Sequence, residues 1–236
     1  MKVKLISYSQ TNIGAFSDDE FTDYPRSAQD LVAFCARVSN PSNQFNLQTS
    51  EKLLAYLIKH KHWSPFEMVD WTVEVYTSRA IAAQILRHRS FSFQEFSQRY
   101  ATVDAEEFPL PEMRMVHKDG NRQGSGEVCH DERINGLVIN QIQHATDLYA
   151  RLLEQGIAPE TARMVLPLCT PTRLYMKGSV RSWIHYFSAR CDPHTQKEHR
   201  LIAKEIRSLF IKRFPQISAA LDYRFSEALD DYLASQ

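Results

Sequence analysis

The sequence predicts an α+β fold, a mixed β-sheet flanked by long α-helices, and three observations carry that expectation. Glycine is scarce, 7 of 236 residues, about 3% against a usual share near 7%, which favours long helices over a turn-rich all-β fold. From Val69 to Thr77 apolar and polar residues alternate with period two, and the chain then passes directly into helical spacing. Amphipathic runs bounded by capping residues dominate the second half of the chain.

Residues 2–8 read as a short opening strand. Ala28–Val38 and Ser50–His60 read as helices, the second with Leu53, Leu54, Leu57 and Ile58 on one stripe. Val69, Trp71, Val73 and Val75 then alternate with Asp70, Thr72, Glu74 and Tyr76, the pattern of a half-buried strand. Ser78 caps a helix expected to run to about Arg87. Residues 103–130 hold Pro109, Pro111, Gly120, Gly124 and Gly126 among many charges and read as an exposed loop or lid, with 111–130 its inserted part. Helix resumes at about Asp131 and runs to Gln155, with Gly156 as its C-terminal cap and Pro159 opening the next helix. Thr172–Lys177 reads as a strand and Gly178 as the turn into a helix. That helix has a core stripe of Val180, Trp183, Ile184 and Phe187, leaving Arg181, His185 and Ser188 on the other side. A final helix is expected over about Thr195–Phe214, stopped by Pro215. No repeat, low-complexity tract or linker divides the chain, so residues 1–236 read as one domain.

Lys+Arg and Asp+Glu balance at 28 each and 43% of residues are hydrophobic, which suits a buried core and excludes intrinsic disorder. Zero net charge argues against a protein that coats nucleic acid or an anionic membrane, so any cationic patch must be concentrated. Residues 1–16 lack the apolar stretch of about 7–15 residues of a secretory signal. No segment approaches the roughly 20 apolar residues of a membrane span, and the expected location is the cytoplasm. Cys35, Cys129, Cys169 and Cys191 form no Cys-x-x-Cys pair and suit reduced thiols. No Gly-x-Gly-x-x-Gly or Walker-type loop is present, so if nucleotides bind, side chains must hold their phosphates.

The densest constellation is Gln84 to Tyr100. Three arginines, one histidine, three serines and a single carboxylate, Glu95, fall between Arg87 and Arg99, interleaved with Phe91, Phe93 and Phe96. Helical spacing would put Gln84, Arg87 and His88 on one face. Arginine forks match phosphate oxygens bidentately, and serine hydroxyls complete the shell around the anion. One carboxylate cannot neutralise this cluster, so an external anion is the expected counterion. A second group follows: Arg163, then Arg181 and His185 on one helix face, and Arg190, Asp192 and His194 beyond. Arg190 lies near a helix C-terminus between Ala189 and Cys191, where a partly buried guanidinium demands a partner.

Arg87-His88-Arg89, followed by seven residues and Ser97, resembles the signature of the flavin-dependent thymidylate synthases, and Arg99 fits as well. His60-Lys61-His62-Trp63-Ser64-Pro65-Phe66-Glu67 resembles the family's His-x-Ser/Thr-Pro-Phe-Glu segment. Ala162-Arg163 through Leu166-Pro167-Leu168, and Arg181-Ser182 through Arg190, resemble two further blocks in the expected order. Ser179 and His185 stand where many members carry asparagine.

The resemblance implies a thymidylate synthase-complementing type fold. It also implies an enzyme that makes dTMP from dUMP with 5,10-methylenetetrahydrofolate as carbon donor, FAD as hydride carrier and NADPH as reductant. It implies dUMP against Gln84, Ile85, Leu86, Arg87, Glu95, Phe96, Ser97, Gln98, Arg99, Arg163 and Arg190. It implies FAD near Ser64, Arg87, His88, Arg89, Glu95, Ser179, Val180, Arg181 and His185. It implies a homotetramer whose subunits share each site, with no metal, nucleic acid or membrane as partner.

The residue types suit that chemistry. Arginine cannot act as a general base, but its fixed fork can stabilise an anion developing on the uracil ring, a role assigned to Arg190. No side chain supplies a hydride, so a redox cofactor is required. Three other readings of these residues compete with it. A cysteine nucleophile at Cys169 has no histidine nearby in sequence. A zinc hydrolase using His117, Cys129 and His130 fits no ligand-spacing template. A single-stranded nucleic-acid platform could interleave Arg87, Arg89 and Arg99 with Phe91, Phe93, Phe96 and Tyr100.

Overall fold

The computed structural model describes residues 2–12, 14, 24–102, 110–118 and 124–223. The first half contains β1 (Lys2–Tyr8), α1 (Ala28–Ala36), α2 (Ser50–Lys59), β2 (Asp70–Ser78), α3 (Arg79–Ile85) and β3 (Ser92–Glu95). Then come β4 (Arg114–Val116), β5 (Ser125–Val128), α4 (Glu132–Glu154) and α5 (Pro159–Ala162). The chain continues with β6 (Pro171–Ser179), α6 (Val180–Arg190), α7 (Lys197–Arg213) and α8 (Pro215–Ala220).

The α+β class stands, with a correction to the sheet. Its strand order is β1-β2-β6-β3 and every neighbouring pair is antiparallel, not mixed. The reason is positional. Strands β2 and β3 flank α3 and run the same way, but β6 is inserted between them and opposes both.

Alternation in β2 buries one face completely: Trp71, Val73 and Val75 are all 0% exposed. The Trp71 ring meets Trp183 of α6 at 5.3 Å, Phe210 of α7 at 5.6 Å and Phe214 at 5.9 Å, all edge-on, the arrangement that aromatic quadrupoles prefer. Helices α6 and α7 therefore lie against the sheet, and the expected stripe of Val180, Trp183, Ile184 and Phe187 is buried there. Helix α1 begins with a full capping box, Ser27 and Asp30 satisfying each other's backbone N–H groups. Gly156 takes φ +77° after α4, the left-handed cap its sequence position predicts.

Several boundaries differ from the sequence expectation. Helix α1 ends at Ala36 and α2 at Lys59, each short of the predicted end. Helix α3 stops at Ile85, so Gln84, Arg87 and His88 do not share a helical face. Tertiary packing overrides local propensity there. Phe91 seats its ring 4.7 Å from Trp183, and residues 92–95 pair with the edge of β6, which forces a turn at residues 86–91. Helix α7 does end at Arg213, just before Pro215, as expected, but it is not the final helix: Pro215 opens α8 at its first turn. Of the expected exposed loop, residues 103–109 and 119–123 lie outside the described residues. The flanking parts form a β4–β5 ladder with Arg114 opposite Val128 and Val116 opposite Ser125.

Gly178 is not the expected turn. It lies inside β6, opposite Trp71, and a Cβ there would fall 2.5 Å from the Phe91 ring. That ring is fixed by Trp183 and by Tyr186 at 5.8 Å, so it cannot yield freely. Gly178→Ala is expected to lower unfolding free energy by about 1–3 kcal/mol, the usual penalty of overpacking. Phe91→Leu in the same chain should recover part of the loss; strictly additive losses in denaturant titrations refute the contact.

Candidate active site

The last residue of α6 and the turn after α3 meet although 102 positions separate them. Arg190 donates from Nε to His88 Nε2 at 2.8 Å. An imidazole nitrogen that accepts from a guanidinium carries no proton, so His88 is neutral with its hydrogen on Nδ1. Burial, and then the Arg190 charge, lower its pKa to about 4. The ring stands edge-on to Tyr186 at 5.0 Å and lies 6.2 Å from His199. His199 is 0% exposed; burial first, then Arg190 and His88, lower it to about 3.

His199 bridges two groups. Its Nε2 lies 3.0 Å from the Tyr186 hydroxyl and its Nδ1 3.3 Å from Gln84 Oε1. Gln84 in turn donates to Gln196 Oε1 at 2.6 Å. A cavity of about 510 Å³ lies between the β4–β5 ladder and the start of α7, with Gln196, Lys197, Arg200 and Arg114 on its wall. Arg114 is held by Glu198 at 2.6 Å and Glu112 at 2.9 Å. Burial alone would raise the Glu198 carboxyl, but hydrogen bonds from Arg114 and Gln196 draw it below the usual range.

A second cavity, of about 240 Å³, is lined by Glu67, Asp70, Ser90, Ser92, Lys177, Gly178, Ser179 and Ser182. Glu67 accepts from the Ser179 hydroxyl and from Arg181 at 2.9 Å. Ser182 donates to the Ser90 carbonyl at 3.1 Å, tying the arginine turn to α6. Nearby, Trp63 meets the His185 ring at 5.3 Å, and Ser64 opens the short 3-10 turn Ser64–Glu67. Ser64, Ser179, Arg181 and His185 are thereby brought into one neighbourhood.

Arg87 and Arg89 are exposed, and among the described residues no carboxylate pairs with either. Two free guanidinium forks beside a serine-lined cavity form a donor set that fits a flavin dinucleotide's diphosphate. Not every expected residue offers its side chain. Ile85 and Val180 are buried in the core, and the Val180 N–H is spent on the Val69 carbonyl at 2.8 Å. Leu86 is exposed at the helix cap. Glu95 is already bonded to Arg79 at 2.7 Å and Thr172 at 2.9 Å. Gln98 is 5% exposed, and Phe96 donates its N–H to the Arg173 carbonyl.

Arg99 and Arg163 converge elsewhere. Arg99 reaches a Glu160 carboxylate oxygen at 3.7 Å, Arg163 donates to the Glu160 carbonyl at 3.2 Å, and Ser97 accepts from the Arg99 N–H at 3.4 Å. Among the described residues no hydrogen bond joins this group to the Arg190–His88 pair. Sequence reasoning placed Glu67 in a family block but gave it no role, and it missed Arg79, Thr172, Tyr186, Gln196 and His199. His199 did carry a signal, because it shares the i, i+3, i+4, i+7 core stripe of α7 with Ile202, Ala203 and Ile206.

The other readings meet physical objections. The Cys169 thiol is half-buried, and burial pushes it up, away from thiolate. Phe91 and Phe93 pack against the core instead of standing free for base stacking. Among the described residues no three His, Cys, Asp or Glu side chains are grouped to hold a metal ion, and no helix is long and apolar enough to cross a membrane.

An antiparallel sheet carries α6 and the turn after α3 together, so that arginines, serines and a neutral imidazole gather beside two polar cavities with no glycine-rich loop among the described residues, an arrangement that suits an enzyme acting on an anionic substrate. Residues 20–216 match the thymidylate synthase complementing protein family, and the chain belongs to that family of flavin-dependent thymidylate synthases. It is 51% identical over 228 residues to the flavin-dependent thymidylate synthase of Synechocystis sp., covering 94% of this chain and 100% of the relative. It is 48% identical over 199 residues to a probable flavin-dependent thymidylate synthase of Paramecium bursaria Chlorella virus 1, covering 83% and 91%. Among solved structures it is similar to PolB, a UMP/dUMP methylase from Streptomyces cacaoi crystallised with 5-Br dUMP. That likeness has a TM-score of 0.77 and 28% identity over 95% of each chain.

His88 and His199 titrate near 6.5 when unfolded and at about 4 and about 3 when folded. Between those values the unfolded chain binds protons that the folded chain refuses, so stability falls as pH falls below about 6.5. Denaturant unfolding followed from about pH 7 to pH 5, above the ordinary carboxylate range, should show that loss. His88→Gln should make it shallower by one proton; an equally steep profile refutes the neutral imidazole.

Proposed function

We propose that this chain is a cytoplasmic, single-domain enzyme that methylates dUMP to dTMP, taking the carbon from 5,10-methylenetetrahydrofolate and the electrons from NADPH through FAD. The observation that carries the reading is the half-buried Arg190 guanidinium, whose described partner is a neutral imidazole. A partly buried cation without a counter-charge is costly, and a nucleotide anion removes that cost.

Attaching a carbon to C5 of uracil requires electron density at C5, which rises as negative charge develops on N3 and the flanking carbonyl oxygens. Arg190 answers that charge. A guanidinium does not give up its proton in a protein, so Arg190 stabilises electrostatically without accepting a proton. His88 is the group that orients it: the lone pair on Nε2 fixes the Nε–H direction, leaving the terminal nitrogens for the ligand. FAD, when bound, supplies the hydride that no side chain can. Arg87, Arg89 and Arg181 would hold its phosphates and polar ring edge, with Ser179 and His185 beside them. Gln84, Arg87, Ser97, Arg99 and Arg163 would hold dUMP. Because Arg99 and Arg163 form a group separate from Arg190, we read each site as shared between subunits of a homotetramer.

Purified protein is expected to be yellow, and a spectral titration with dUMP should perturb the flavin absorbance. Arg190→Ala should retain flavin while methyl transfer falls by at least about a hundredfold, the usual effect of removing one oxyanion donor; unchanged turnover overturns its role. Arg87→Ala should weaken both dUMP and FAD binding, and if both affinities are unaltered the double assignment is wrong.

A further inference from the structure

A run of hydrogen bonds from β4 to α6 has its direction set at one end. Arg114 donates to Glu198 Oε1 at 2.6 Å. An ionised carboxylate only accepts, so Glu198 Oε2 takes an N–H from Gln196 Nε2 at 2.9 Å. The Gln196 carbonyl must then face Gln84, whose Nε2 donates to it at 2.6 Å. This leaves Gln84 Oε1 toward His199 Nδ1, 3.3 Å away, and that nitrogen must carry the proton. His199 Nε2 is then the bare nitrogen, and the Tyr186 hydroxyl at 3.0 Å donates to it. No step can be reversed without opposing two acceptors.

The terminal torsion of a glutamine is broad and roughly two-fold, so nothing intrinsic to Gln84 selects one amide orientation. Its bond to Gln196 is exposed and competes with water. His199 is wholly buried, and its N–H has no such competitor. We propose that His199 is a positioning residue that clamps the Gln84 amide, so that the remaining N–H of Gln84, and not its carbonyl, is offered to an acceptor oxygen of the bound nucleotide. The neighbours suit a neutral donor. Arg190 and His88 face His199 from α6 and from the turn after α3, and Tyr186 from α6. A flipped Gln84 would present its oxygen to an anionic ligand and repel it.

The proposal rests on the reading of Gln84 as a substrate-binding residue, and the test separates the two. Titration calorimetry of dUMP into the flavin-loaded enzyme gives the dissociation constant for each variant, with flavin content recorded alongside. Gln84→Ala and His199→Leu should each weaken dUMP by about tenfold, the scale of one hydrogen bond. The double variant should be no weaker than Gln84→Ala alone, because one residue acts through the other. Independent, multiplying losses overturn the proposal. Should His199→Leu not fold, two polar variants decide. His199→Asn puts a donor near the Nδ1 position and should stay within about twofold of the parent. His199→Gln puts its amide near Nε2 and should lose about tenfold. Equal affinities for these two overturn the clamp. An unaffected Gln84→Ala sinks the substrate reading itself, whereas a weakened Gln84→Ala beside an unaffected His199→Leu sinks the clamp alone.

Discussion

The contact between Arg190 and His88 is the constraint from which the rest of the site follows. A guanidinium cannot give up its proton, so the imidazole it touches must stay neutral, and a half-buried charge facing a neutral partner is left wanting an anion. That requirement explains why the site is assembled where it is. The α6 C-terminus delivers the cation, the turn after α3 delivers the acceptor, and both are anchored by the same aromatic cluster. His88, Phe91, Tyr186 and Trp183 contact one another in sequence, at ring separations between 4.7 and 6.3 Å. Packing therefore does electrostatic work: the rings that exclude water from the core also deny His88 and His199 the solvent that would charge them.

The antiparallel sheet sets the spacing of these parts. Because β6 lies between β2 and β3, the strand leading into α6 runs beside the strand that follows the arginine turn. Phe93 of β3 pairs with Met176 of β6, and Ser92 with Lys177. The Ser182–Ser90 hydrogen bond closes the corner above that ladder. Gly178 permits it, since any side chain would displace Phe91. A parallel arrangement of these strands would send α6 away from the turn, and Arg190 would not meet His88.

Much of this was legible in the sequence, and the failures share a cause. Period-two alternation located β2 because Trp71, Val73 and Val75 contact one buried layer, a purely local consequence of strand geometry. The α6 stripe was legible for the same reason at period 3.6. The end of α3 was not, because Leu86, Arg87 and His88 are tolerable helix residues; what ends the helix is Phe91, captured by Trp183 far along the chain. Gly178 was misread because a glycine before a helix usually marks a turn, whereas here the glycine is demanded by a ring 87 residues earlier. The cationic character of the site was visible, since one carboxylate cannot balance the 87–99 cluster. Glu95 shows the limit of that inference: it is neutralised by Arg79, a residue outside the cluster.

A chain with few glycines must bind phosphate without the backbone nests that glycine-rich loops provide, and the alternative has a structural consequence. Side-chain forks hold an anion only if their own orientation is fixed, because long side chains lose entropy on ordering. Each polar group here is accordingly backed by another. His88 orients Arg190, Glu67 steadies Arg181 and Ser179, and Glu160 gathers Arg99 and Arg163. Arg87 and Arg89 stand apart as the pair without such backing among the described residues, and they flank His88 in the turn at residues 86–91, whose Ser90 lines the smaller cavity. Among the described residues nothing orders these two forks, so an anion that engages them must itself meet the entropic cost of fixing two long side chains.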